Sequence, residues 1–283
     1  MTILAVLYEN LFAPFYDYLF MQRALAACIA ISLSSAPLGV ILIQRRMSLI
    51  GEALSHGTLP GIALAYLVAG MWLPALILGG ALAGLMVAFF SHFVSQNTCL
   101  KEDASFSSFY MIAFALGILI LSLQEGSIKL VHLLFGNVLA VDGPSLIFMV
   151  ATSVVSLVIF AIIYRPLIYE CFDPLFMRSL KGPTHFYNFT FLTLMVGNLV
   201  AAYQALGTLM ALGLMMIPAV AARLLAHRLK SIFLISILFA LMSSYAGLLL
   251  SYHFNWPSGP TIVLVAGGLY IGSLVYVLAI RRH

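Results

Sequence analysis

Apolar runs of about twenty residues recur along the whole chain, with the charged residues mostly between them. A run of that length, coiled as a helix, matches the hydrocarbon thickness of a bilayer. No water reaches backbone N–H and C=O groups inside lipid, so each must be paired within its own helix or in a closed barrel. Barrel strands alternate apolar and polar over about ten residues, and these runs are longer and apolar throughout. The chain is therefore expected to be all-α, a polytopic integral membrane protein of about eight or nine transmembrane helices. Composition agrees: 63% of the 283 residues are hydrophobic and 8% are charged, outside the range of soluble domains. The net charge of +4 does not point to nucleic acid, because the basic residues are scattered between apolar runs.

Spans are expected at 23–43, 51–70, 74–94, 105–123, 145–163, 186–203, 231–251 and 260–280. A shorter run at 207–218 either crosses as well or joins a neighbour as a broken helix. Residues 1–22 hold Phe12, Phe15, Tyr16, Tyr18 and Phe20 around Pro14, which suits either an interfacial helix or a tail with aromatic anchors. They also carry Glu9 and Asp17 and lack the basic-then-apolar order of a signal peptide. Leu130–Gly136 is too short to span and reads as an interfacial or re-entrant helix. Residues 164–185 read as the most polar loop. Residues 1–283 read as one transmembrane domain.

Lysine and arginine collect in the loops that stay cytoplasmic. One side of the membrane takes Arg45, Arg46, Lys101, Arg165, Arg178, Lys181, Arg223, Arg228, Lys230, Arg281 and Arg282, and only Arg23 and Lys129 lie elsewhere. This places the N-terminus outside and the C-terminus in the cytoplasm.

The chemistry concentrates in one span. Glu52 and His56 are four residues apart, so on a helix they share a face, with Ser55 beside them. An ionisable side chain at membrane depth costs about 2.5–3.5 kcal/mol on insertion scales. Two readings stand. Glu52 caps a helix N-terminus and His56 is a core histidine bonded to a neighbour, or carboxylate and imidazole together ligate a divalent transition metal. Gly57 and Gly61 have the four-residue spacing that lets helices approach closely, and Pro60 between them should bend the span. They are either ordinary packing residues or the place where two copies of the chain meet. Residues 219–230 follow Pro218 and are rich in alanine and basic residues, which favours a short helix of their own. That helix is either a solvated interfacial element or a docking surface for a cytoplasmic partner.

Other chemistries lack support. None of the four lysines sits in a glycine-rich loop before Ser or Thr, so there is no nucleotide-binding P-loop. No His-Glu-x-x-His or Gly-x-Ser-x-Gly run occurs. Cys28, Cys99 and Cys171 form no close pair, which argues against a disulfide framework or a thiolate metal site. His92, His132, His185 and His253 stand as extra ligands or as interfacial histidines.

Four stretches, in this order and spacing, carry a resemblance: Arg45 to Gly61; Leu134 to Val141; Ala205 to Leu225; and Trp256-Pro257-Ser258-Gly259-Pro260. With them the chain resembles the membrane permease of bacterial ATP-binding-cassette importers for zinc and manganese. The resemblance covers nearly the whole chain. It implies a homodimer in the inner membrane, a cytoplasmic ATP-binding subunit that hydrolyses ATP in place of this chain, and an extracytoplasmic metal-binding protein. It implies no permanently bound cofactor, with Zn²⁺ or Mn²⁺ as the transported substrate. It further implies that Glu52 and His56 line the metal path. Many relatives carry Asp where Glu52 stands, and the longer side chain keeps the carboxylate while shifting its reach. Residues 219–230 would be the coupling helix, with Pro218, Arg223, Leu224, His227 and Arg228 facing the ATPase. Zinc ranks first on the third and fourth stretches, manganese second on the second stretch, and iron is not separated from them. The rival class is a proton-coupled secondary metal transporter using the same Glu52–His56 pair as a proton relay.

Overall fold

The computed structural model describes residues 13–70, 72–98, 102–122, 138–172 and 184–280. Within them the chain is helical apart from turns. The helices are α1 (Ala13–Asp17), α2 (Leu19–Gln44), α3 (Ser48–Gly57), α4 (Leu59–Ala69), α5 (Leu73–Asn97), α6 (Glu102–Ser122), α7 (Gly143–Phe172), α8 (Thr184–Leu206), α9 (Thr208–Leu225), α10 (Leu229–Phe254) and α11 (Ser258–Ile280), with a short 3₁₀ turn at Val138–Ala140. Eight are long and apolar enough to cross a membrane: α2 and all of α5 to α11. The all-helical, multi-pass architecture expected from the apolar runs is the one observed.

Three boundaries differ from expectation, each for a local reason. The span expected at 51–70 is two helices, α3 and α4, divided at Thr58. Pro60 lies in the first turn of α4, where its missing N–H would have had no intrahelical partner. It starts a helix rather than bending one. The span expected at 145–163 runs on to Phe172, so Arg165 and Glu170 belong to helix α7 and not to a loop. The short run at 207–218 continues to Leu225, with Pro218 inside α9. Residues 219–230 are therefore not one helix. They are the last two turns of α9, a turn at 226–228, and the start of α10. Proline inside a membrane helix is tolerated because neighbouring groups re-satisfy the freed carbonyl.

The chain divides into two compact units. One comprises Met1–Val40, His132–Val154 and Ala202–His283. Here α9, α10 and α11 pack on one another through small residues. A Cβ on Gly247 would lie 2.5 Å from the Ile262 backbone, and one on Gly39 would lie 1.9 Å from the Met215 carbonyl oxygen. Hydroxyls tie the same unit together. Ser32 and Ser244 share a hydrogen bond at 3.3 Å, and Ser34 donates to Ser153 at 3.2 Å. Of the segment expected at 1–22, residues 1–12 lie outside the described residues. Its remainder is α1 and the start of α2, with Phe15 stacked on Tyr245 at 5.0 Å and Tyr18 against Tyr252 at 5.7 Å.

The other unit comprises Ile41–Val131 and Val155–Ala201. It holds α3 to α6, packed together, and the candidate site. The re-entrant segment expected at 130–136 lies outside the described residues.

Candidate functional site

The site begins at the corner between α2 and α3. The Met47 N–H bonds to the Leu42 carbonyl and the Arg46 N–H to the Ile43 carbonyl, both at 3.1 Å. This doubly bonded pattern is the Schellman cap of a helix C-terminus. It puts Arg46 in the left-handed region, φ 59°, where glycine is the usual residue. The chain turns there and α3 starts at Ser48.

Glu52 and His56 both lie on α3, one turn apart. No acidic residue occupies the first turn of α3, so the capping reading of Glu52 is set aside. Its side chain is exposed. It has no ion-pair partner among the described residues. His56 is half-buried, with its ring edge-on to Phe114 (centroids 5.1 Å apart) and tilted toward Tyr110 at 6.3 Å, both on α6. Its Nδ1 is buried and has no hydrogen-bond partner among the described residues. A core histidine normally has its buried nitrogen satisfied, and this one does not. Ser55 beside it is fully buried and its Oγ is likewise unpartnered. Among the described residues no group of three or more His, Cys, Asp or Glu comes together. One chain thus offers two donors, against the four to six that a divalent transition metal takes.

The glycines beside the pair are used within the chain. A Cβ on Gly61 would lie 1.9 Å from the Gly79 carbonyl oxygen, and one on Gly79 would lie 2.4 Å from the Gly61 oxygen. Backbone of α4 and α5 therefore meets backbone, which only glycine at both positions allows. A Cβ on Gly57 would lie 3.2 Å from the Val87 side chain of α5. The expectation that these glycines bring two copies together is corrected: α5 of the same chain fills their faces.

Of the expected partner-contact residues, only His227 and Arg228 lie on the turn between α9 and α10. Arg223 is exposed in the last turn of α9, Leu224 is half-buried, and His227 and Arg228 are exposed. Pro218 is buried two turns earlier. His92 lies on α5, His185 on the first turn of α8, and His253 near the end of α10 against Tyr252. His132 lies outside the described residues.

Sequence reasoning missed one cluster. Arg45, read as a loop charge, is turned inward with its side chain 12% exposed. Its Nε donates to Cys171 Sγ at 3.1 Å, its Nη1 to Asn188 Oδ1, and its Nη2 to Glu170 Oε2 at 3.4 Å. Its Cζ stands 5.2 Å above the Phe191 ring. Glu170 is 6% exposed. Asn198 is a second missed polar group: it donates from Nδ2 to Ser156 Oγ at 2.5 Å, between α8 and α7. No local signal links Arg45 to partners more than 120 residues away.

Residues 17–277 match the ABC 3 transport family. The chain is 32% identical over 260 residues to the manganese transport system membrane protein MntC of Halalkalibacterium halodurans, covering 92% of this chain and 88% of that one. It is 28% identical over 272 residues to the chelated iron transport system membrane protein YfeD of Yersinia pestis, covering 96% and 90%. Among solved structures it superposes on a chain of PsaBC from Streptococcus pneumoniae in complex with Fab, with a TM-score of 0.82, 29% identity and 94% of each chain covered.

Proposed function

The chain belongs to the ABC 3 transport family, and from that premise we propose that it is the permease subunit of an importer that carries a divalent first-row metal inward by alternating access. The observation that carries this is the unpartnered pair on α3: an exposed Glu52 carboxylate in a membrane-embedded chain, with His56 one turn along and its Nδ1 unsatisfied. An intramembrane carboxylate is a functional site by default. Two donors per chain fit a weak, transient contact. Two copies meeting at this face would supply four, which is the reason for proposing a homodimer. Manganese is placed before zinc because of the names that relatives carry, including the manganese protein of Halalkalibacterium halodurans. Iron follows from the Yersinia pestis relative. Carboxylate plus imidazole does not separate these ions by affinity alone, which rises from Mn²⁺ toward Zn²⁺.

The ATPase sits in a separate cytoplasmic subunit and an extracytoplasmic protein delivers the ion. The exposed turn bearing His227 and Arg228, flanked by Arg223 and Lys230, is the contact for the ATPase. With α3 and α4 together taken as one further crossing, seven crossings separate that turn from the N-terminus, and this reading has the N-terminus outside. The Arg223→Glu variant should reduce co-purification of the ATP-binding subunit several-fold; unchanged co-purification removes Arg223 from that contact.

The decisive test is uptake into vesicles holding this chain, its ATPase and its binding protein, with Mn²⁺ and Zn²⁺ supplied separately. ATP-driven Mn²⁺ uptake that vanishes in Glu52→Gln is the expected result. ATP-driven uptake of Zn²⁺ alone keeps the mechanism and changes the cargo. Uptake that ignores ATP and follows a proton gradient transfers the chain to the secondary-transporter class.

A further inference from the structure

We propose that Arg45, held by Glu170, Asn188 and Cys171, is a positioning residue for the Glu52–His56 pair; the inference rests on the metal-path reading above. The cluster stands at the base of α3. Arg45 is the last residue before the left-handed Arg46, and α3 begins two residues after that. Its three guanidinium nitrogens each donate to a different side chain, two on α7 and one on α8. Phe191 on α8 closes the face of the guanidinium plane. Such a planar fork fixes an orientation that a flexible ammonium cannot. The corner thereby ties the start of α3 to two other helices at one point.

The need for a tie is visible in the backbone. Among the described non-glycine residues only Arg46 and Asn255 have positive φ. Asn tolerates that region, and an arginine is disfavoured there. The corner conformation is therefore maintained by surrounding contacts more than by local preference. Downstream, the His56 ring is held by packing against Tyr110 and Phe114 and not by a hydrogen bond among the described residues. Glu52 lacks an ion-pair partner and His56 Nδ1 lacks an acceptor among the described residues. At about 1.5 Å rise per residue, His56 stands roughly 12 Å along α3 from Ser48. A small rotation of α3 at its base is enough to turn both donors away from an ion. A buried ion pair contributes little to stability compared with apolar packing, and its best-attested use is to fix a register.

The test is Mn²⁺ binding to the full-length chain with its ATP-binding subunit in detergent, read as loss of the free-ion electron paramagnetic resonance signal. Wild type, Glu52→Gln, Arg45→Lys, Glu170→Gln and Asn188→Ala are titrated in parallel, with melting temperature recorded for each. Arg45 touches neither Glu52 nor His56, so its effect is indirect, and residues that act at a distance typically shift a coupled affinity by about 2–30-fold. The expected result is that Arg45→Lys and Glu170→Gln weaken Glu52-dependent Mn²⁺ binding by about tenfold while ATPase co-purification holds. Asn188→Ala removes one acceptor without stranding a charge, and it serves where the charge variants fail to accumulate. Affinity at the wild-type value in the variants that fold overturns the positioning role. So does a lower melting temperature with unchanged affinity, which is the mark of a merely structural tie. Binding in wild type that does not depend on Glu52 overturns instead the metal-path reading on which the inference rests.

Discussion

Two clusters of ionisable residues lie within twelve positions of each other, and the structure treats them in opposite ways. Arg45 is enclosed and hydrogen-bonded through all three guanidinium nitrogens. Glu52 is exposed without an ion-pair partner, and His56 keeps an unsatisfied buried nitrogen. A charge with complete partners inside one chain is spent on that chain's own geometry. A charged or basic group left without them is available to something else. On the metal-path reading proposed above, that availability is taken up by an ion. The contrast separates structure from function more sharply than the sequence spacing does, since Arg45 and Glu52 both stand in one continuous motif.

The comparison breaks first at the unpartnered end. Glu52→Gln and His56→Ala should each abolish metal uptake, with the melting temperature near wild type for the exposed Glu52 and modestly lower for His56, whose ring packs edge-on to Phe114. Near-normal uptake in both would mean the open cluster is not used. The partnered end should behave in the reverse order. Arg45→Ala removes the cation paired with the buried Glu170 carboxylate, and breaking a buried pair by deleting one partner typically costs about 3–5 kcal/mol. The expected readout is a sharp fall in folded protein in the membrane. A variant that folds at wild-type levels would show that Glu170 has found water or another cation.

A third test asks whether the backbone contact beside the open cluster is as close as it looks. Gly61→Val would drive a side chain into the Gly79 carbonyl, and backbone cannot yield as a flexible side chain can. Overpacking of this kind costs about 1–3 kcal/mol. Gly267→Ala is the control, since nothing lies within 4 Å of a Cβ there. Equal stability in the two variants would show that α4 and α5 separate easily.

The sequence carried the spans well, because hydrocarbon imposes one rule on every backbone group and that rule is read from length and apolarity alone. It also placed Glu52 and His56 on one helix face. It failed where the meaning of a residue depends on its setting. Pro60 and Pro218 show this. The place of Pro60 between two glycines predicts a bend, yet with Thr58 ahead of it Pro60 is a first-turn residue and a new helix starts there. Pro218 was read as a start and lies inside α9, where membrane surroundings tolerate it. Gly57 and Gly61 signalled close approach correctly, but spacing does not say whether the approaching helix belongs to the same chain. Arg45 and Glu170 were each assigned to solvent because each adjoins a polar stretch. Their pairing across 125 positions is a tertiary fact with no local trace.

The smallest expected effect tests the seam between the two clusters. Arg46 is exposed and adopts φ 59°, so its side chain adds little to the packing while its backbone bears a conformational cost. For a residue with a Cβ that cost is roughly 1–2 kcal/mol. Glycine removes it but loses about 0.5–1 kcal/mol in added freedom of the unfolded chain. Arg46→Gly should therefore gain between about 0 and 1.5 kcal/mol, seen as a rise of at most a few degrees in melting temperature. Uptake should not change, because Arg45 and not Arg46 makes the contacts to α7 and α8. Arg46→Val should move stability the other way, since a β-branched residue is poorly accommodated at positive φ. If instead Arg46→Gly lowered uptake with stability intact, a stiff corner would itself be needed to aim Glu52 and His56. The division between a cluster that builds and a cluster that works would then run through Arg46 rather than beyond it.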